Sequence, residues 1–126
     1  MDLDFSNNKK NIHPYTMATI GDFQEIEIRL GTILTVEDFP EARQASYKIT
    51  VDFGEKTGVK KSSAQLVDNY KKHDLVGKQV MGVVNLPPRQ IGPFISEVLI
   101  IGIPDSNNNC VLLKPDWETP IGALLY

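Results

Sequence analysis

Two short apolar runs, Val80–Val84 and Val98–Ile103, flank the stretch NLPPRQIGPF, which holds three prolines and a glycine. Each run has the length of a strand and is too short for a globular helix. The prolines between them can continue neither a helix nor a central strand. The pattern therefore predicts two buried strands joined by a stiff connection that holds Arg89 toward solvent. Asn85, Arg89, Ser96 and Glu97 fall at the mouth of that connection. Polar groups presented by a rigid scaffold are where a binding site is expected.

The rest of the chain reads as further short strands. Residues 1–16 are polar and lack a hydrophobic period, so a flexible N-terminal extension is expected there, followed by a domain over 17–126. Thr19–Glu25 predicts one helical turn, capped by Thr19 or Asp22, with Phe23 pointing inward. From Ile26 to Val36 apolar residues alternate with polar ones, with Gly31 a bulge or bend. FPEARQA, residues 39–45, reads as a loop. Tyr47, Ile49, Val51 and Phe53 alternate without a break, the cleanest period-two segment of the chain. Val59–Ala64 is a shorter, more polar strand, and Gln65–Asp74 a helical turn and loop. Asp74-Leu75-Val76-Gly77 reads as a turn closing at glycine. PDSNNN turns the chain into a last short strand over Val111–Leu113. The apolar end, Ile121, Leu124, Leu125 and Tyr126, must be covered, either by its own barrel or, as favoured here, by a second copy. Five or six short strands with glycine-marked bends predict an all-β fold, a partly open five-stranded barrel with short helical turns and N- and C-terminal extensions.

At 126 residues the chain forms one domain, able to bury roughly two thirds of its unfolded surface. A single cysteine, Cys110, excludes an internal disulfide framework and suggests a reducing compartment. No apolar run approaches the ~20 residues of a membrane span, and the acidic N-terminus does not resemble a signal peptide. A cytoplasmic protein without membrane insertion is expected. The net charge of −3 argues against blanket attraction to nucleic acid. Its distribution is uneven: residues 56–90 carry seven basic and two acidic residues, a net of +5, beside the candidate site.

Chemistry-bearing clusters are missing. His13, His73 and Cys110 are scattered, so no metal site is read. No nucleophile stands beside an oriented base, and no phosphate-cradling glycine motif occurs. Neither an enzyme nor a cofactor is expected. Recognition remains. Lys60, Lys61, Ser62, Ser63 and Gln65 offer several donors in a short space, and Arg89 a planar fork for carboxylate or phosphate. Tyr47, Tyr70, Phe39 and Phe94 are candidate stacking faces, although core packing is the better reading for Tyr47 and Phe53. Phe94, in the proline-flanked loop, is the best candidate for an exposed apolar contact.

At these residues the chain resembles a known family. EIEIRLGTILTVEDFPEAR, DFG, KKSSAQL and VNLPPRQIGPFISEVLIIG are similar to the CsaA proteins, small export-related chaperones within the broader tRNA-binding-domain family. The resemblance covers about Phe23 to Gly122. It implies an OB-type barrel, a homodimer, and two ligand classes: unfolded or signal-bearing preproteins, and tRNA. The matching positions are Arg29, Gly31, Pro40, Glu41, Ala42 and Arg43. Lys60, Ser62, Ser63, Ala64 and Gln65 match further on, then Asn85, Pro87, Pro88, Arg89, Phe94, Ser96 and Glu97. The ending Val98-Leu99 matches the CsaA branch. Gln90 stands where the tRNA-binding branch has a second basic residue, Pro93 where it has glycine, and Ile95 where CsaA proteins often have lysine. Phosphate contacts supply most sequence-independent affinity for nucleic acid, so these two absent basic positions weaken a tRNA reading.

Three functions follow as expectations. The first is a homodimeric chaperone binding preproteins. The second is a tRNA-binding module reading backbone shape through Lys60, Lys61 and Arg89, and the third a structural subunit docking on a larger enzyme.

Overall fold

A computed structural model describes residues 16–126. The extension expected over residues 1–16 lies outside them, Thr16 apart. Nine strands and three short helical turns make up the described chain. Five strands form one antiparallel sheet in the order β3-β2-β1-β4-β7, with β1 Ile28–Asp38, β2 Tyr47–Asp52, β3 Val59–Ala64, β4 Gln79–Val83 and β7 Leu99–Ile100. The sheet curls into a nearly closed barrel of the OB type. No helix among the described residues is long and apolar enough to cross a membrane.

β1 organises the barrel because its two halves serve different neighbours. Ile28–Thr32 pairs with β4, and Thr32–Asp38 with β2. The register with β2 slips between Ile33 and Thr35, which leaves Leu34 as an extra, exposed residue. Such a bulge bends a strand and raises its twist, as closure requires. The bend expected at Gly31 therefore lies three residues later. Gly31 serves packing instead: a Cβ there would stand 2.5 Å from Val51 and 2.8 Å from the Phe53 ring. A Cβ on Gly82, on the neighbouring β4, would meet the same ring at 3.0 Å. Two glycines on adjacent strands thus make room for Phe53, which is 1% exposed.

The alternation of β2 appears as expected, with Tyr47, Ile49 and Val51 buried. They pack with Ile33, Val80 and Leu75. Leu75, in the helical turn Lys72–Leu75, is fully buried. The turn closes at Gly77 with φ +85°, and the Gly77 N–H donates to Ile33 O at 2.8 Å.

Three other expectations are corrected. The run Val98–Ile103 does not form one strand. Only Leu99–Ile100 joins the barrel, and the chain then leaves it as β8 (Gly102–Pro104) to pair with β9 (Cys110–Leu112). The proline-rich connection is not a plain loop, because its second half folds into a hairpin of β5 (Arg89–Ile91) and β6 (Phe94–Ser96). Gly92, at φ +56°, followed by Pro93, meets the needs of a type II′ turn. The helical turn Ile20–Gln24 is capped by Thr19 through a reciprocal pair with Asp22, yet buries nothing. Phe23 does not point inward and stays 39% exposed, because the turn lies against the C-terminal tail rather than the core.

The tail folds onto its own barrel. Gly122 N–H donates to Leu30 O at 2.7 Å, Leu30 N–H to Ala123 O at 3.1 Å, and Leu125 N–H to Ile28 O at 2.8 Å. Arg29 fastens it further, giving one N–H to Gly122 O at 2.8 Å while its other nitrogens hold the Glu27 carboxylate.

Candidate functional site

Because Tyr47, Ile49 and Val51 face the core, Lys48 and Thr50 project from the outside of β2. Opposite them in register stand Ser63 and Lys61 of β3. These four side chains form one outer face of the barrel. Two connections border it. The β1–β2 loop contributes Phe39, and the β5–β6 hairpin contributes Phe94. The two rings meet edge to face, with centroids 5.4 Å apart and planes at 62°. The Lys48 ammonium lies 5.6 Å from the centre of the Phe39 ring, and the Lys61 ammonium 5.6 Å from that of Phe94. The result is a row of cation, ring, ring, cation across the β2–β3 face. The row locks the two loops together and keeps both ammonium groups at the surface.

Phe94 is accordingly not the exposed apolar contact expected. It is half-buried against Phe39, which is itself 4% exposed. The exposed apolar groups of the connection are Ile95 and Leu86. Tyr47 is buried in the core, whereas Tyr70 is half-buried against it with the Lys78 ammonium 5.8 Å from the centre of its ring. Tyr47 donates its hydroxyl proton to Tyr70 O at 2.8 Å, and the Tyr70 hydroxyl accepts the Leu112 N–H at 3.0 Å.

Strand alternation also divides the donor cluster of β3. Lys61 and Ser63 face outward. Lys60 shares the inner side with Ser62 and Ala64 and is half-buried. Ser62 is fully buried, its hydroxyl 3.4 Å from Ser63 O, so no ligand can reach it. Gln65 is half-buried just past the strand.

Three predicted site residues have their polar groups committed within the barrel. Glu97 closes the seam beside β3: its N–H donates to Lys61 O at 2.7 Å, and its carboxylate accepts the Lys61 N–H at 3.0 Å. The Ser96 hydroxyl accepts the Ser63 N–H at 3.1 Å. An edge strand left with bare N–H groups would invite unwanted pairing, and these two side chains cap it. Asn85 joins β4 to the start of β1, accepting the Glu27 N–H and donating to Glu25 O, both at 2.8 Å. Arg89 is exposed and pairs across its hairpin with Ser96, which brings it to the β3 side of the face.

The basic stretch is less open than its sequence suggests. Lys72 is tied to Asp38 at 2.9 Å, and that hydrogen bond, with the attraction of the same carboxylate, holds its ammonium above the ordinary 10.5. Lys48 also stands on the β2–β3 face, its ammonium 4.0 Å from the Glu37 carboxylate, and the sequence reading does not single it out. The unbroken alternation of β2 is the pattern that places it outward, since its neighbours on both sides are buried. No three His, Cys, Asp or Glu side chains gather as metal ligands would among the described residues.

A barrel with a polar and cationic β2–β3 face, bordered by two locked loops, defines the class of OB-type binding domains. The family model "Putative tRNA binding domain" matches residues 28–124, and the chain belongs to that family. Its fold matches the crystal structure of a CsaA chaperone protein from Picrophilus torridus with a TM-score of 0.82 and 44% identity, covering 87% of this chain and all of that one. A CsaA chaperone from Bacillus anthracis matches with a TM-score of 0.80 and 40% identity, covering 88% of this chain and all of that one. The methionine–tRNA ligase of Methanococcoides burtonii is 30% identical over 110 residues, 87% of this chain but 16% of the ligase. The chain thus spans about a sixth of the length of that curated relative.

Proposed function

We propose that the chain is a homodimeric, non-catalytic binding protein that acts as a chaperone for unfolded or signal-bearing preproteins in cytoplasmic protein export. The observation that carries this reading is the end-to-end match to two CsaA chaperones at 40–44% identity, against a segment-only match to ligases. The β2–β3 face is chemically suited to mixed polypeptide segments, since Ser63 and Lys61 are bordered by a connection that exposes Leu86, Arg89 and Ile95. Titrating labelled, reduced, unfolded preprotein and its isolated signal segment with the protein tests the reading. Saturable binding at near-physiological salt is expected. Its absence for both probes overturns the proposal.

For the homodimer, the supporting feature is a groove of about 370 Å³ lined by Ile20, Phe23, Ile26, Leu124 and Leu125. The tail's backbone is satisfied by β1, yet these side chains remain exposed. A second copy placing the same patch on this one would cover both at once.

A second reading, tRNA binding, is favoured by Lys48, Lys61 and Arg89 on one side of the barrel. In OB-type barrels that face and its bordering loops take oligonucleotides. Affinity should then fall with salt with a log–log slope of about −0.7 to −0.9 per phosphate neutralised. Lys61→Ala should reduce the slope by about one contact. A flat salt response contradicts this reading.

A further inference from the structure

The single tryptophan of the chain, Trp117, is 84% exposed. It sits in residues 113–121, between two fixed points. On one side Leu112 is held in β9 and by the Tyr70 hydroxyl; on the other Gly122 is hydrogen-bonded to β1. Pro115 and Pro120 stiffen the span, which limits what ordering it would lose on binding. Asp116 and Glu118 are its neighbours in the chain, both exposed and neither in an ion pair among the described residues. Lys114 stands three positions before the ring, so the span keeps a net charge of −1.

An indole is the strongest aromatic partner for a cation, and tryptophan is over-represented among the residues that dominate binding energy. Two neighbouring carboxylates make the local potential negative, which favours a cationic partner. We propose that Trp117, with Asp116 and Glu118, is a docking point for an extended polypeptide segment bearing lysine or arginine. Its chemistry is opposite to that of the cationic β2–β3 face. It therefore stands whether that face takes preproteins or tRNA.

The ring is its own reporter, because no other tryptophan contributes to the emission. The experiment titrates the full chain with an unstructured Lys- and Arg-bearing peptide and, separately, with the same peptide carrying Glu at those positions. The basic peptide should change Trp117 emission saturably, and the acidic one should not. Changing both acids, Asp116→Asn with Glu118→Gln, keeps the reporter and should weaken the affinity read from it several-fold, the size of two exposed charge pairs. For Trp117→Ala the readout is anisotropy of the labelled peptide, with affinity lost to a similar extent while circular dichroism confirms the fold. An unchanged emission, an equal response to the acidic peptide, or peptide affinity untouched by the variants overturns the proposal. So does an emission of the free protein that shifts with its own concentration, which would show a second copy on the ring.

Discussion

Gly31 illustrates how a single residue constrains the whole barrel. The space of its missing side chain is filled by Val51 and Phe53, so a methyl group has nowhere to go. Gly31→Ala should destabilise the fold by about 1–3 kcal/mol, the usual range for overpacking a filled core. The urea midpoint would show it, and an unchanged midpoint would mean the ring can move aside. Glu97 makes the complementary case for a polar residue. Its carboxylate satisfies the Lys61 N–H at the barrel seam. Glu97→Ala should cost about 1–2 kcal/mol, since an edge donor loses its partner. It should also speed hydrogen exchange at the Lys61 amide selectively. If preprotein binding fell while stability and exchange stayed unchanged, Glu97 would be a ligand contact rather than a seam residue.

Among the elements, the β8–β9 hairpin depends on one carboxylate. Asp105 accepts the N–H groups of Asn107 and Asn109 at 2.9 and 3.0 Å and an Asn69 amide N–H at 3.0 Å. The Asn109 N–H above all, then the Asn69 amide, holds its carboxyl below the ordinary 3.8. A depressed folded value means the stabilisation is complete above pH 3.8 and is lost as pH falls through the lower folded value. Asp105→Asn should therefore be less stable than wild type at pH 7, and the gap should close in acid. A gap independent of pH would contradict this role. The hairpin also marks how far the sequence can be read. The strands β1 to β4 and β9, their order along the chain and the turn at PDSNNN follow from apolar patterning and turn residues. The departure of β8 from the barrel does not, because Val98–Ile103 is largely apolar and carries no period to mark a change of sheet. The β5–β6 hairpin is hidden for the opposite reason: three prolines suggest an irregular loop, whereas Pro93 serves as the second turn residue behind Gly92. For the candidate site, Lys61, Arg89 and the importance of the proline connection are legible. The partners of Ser96, Glu97 and Asn85 are not, since they lie 33 to 60 residues away along the chain.

The molecule as a whole combines a barrel that holds its own tail with an apolar patch that remains uncovered. Truncating the tail would remove both backbone pairing to β1 and apolar surface, so it does not isolate the proposed dimer contact. Replacing Phe23 and Leu125 with lysine keeps the pairing and puts two charges into the apolar patch of Ile20, Ile26 and Leu124. The double variant should be a folded monomer by light scattering and circular dichroism, and a folded dimer would place the interface elsewhere. Preprotein binding at the β2–β3 face calls for a paired anisotropy titration of unfolded preprotein and bulk tRNA. It would be run at low and near-physiological salt, with wild type and with Lys48→Glu combined with Lys61→Glu. Saturable preprotein binding that survives salt in wild type and weakens at least several-fold in the variant is expected. Tight, salt-steep tRNA binding without a preprotein response, or preprotein binding indifferent to both lysines, would contradict it.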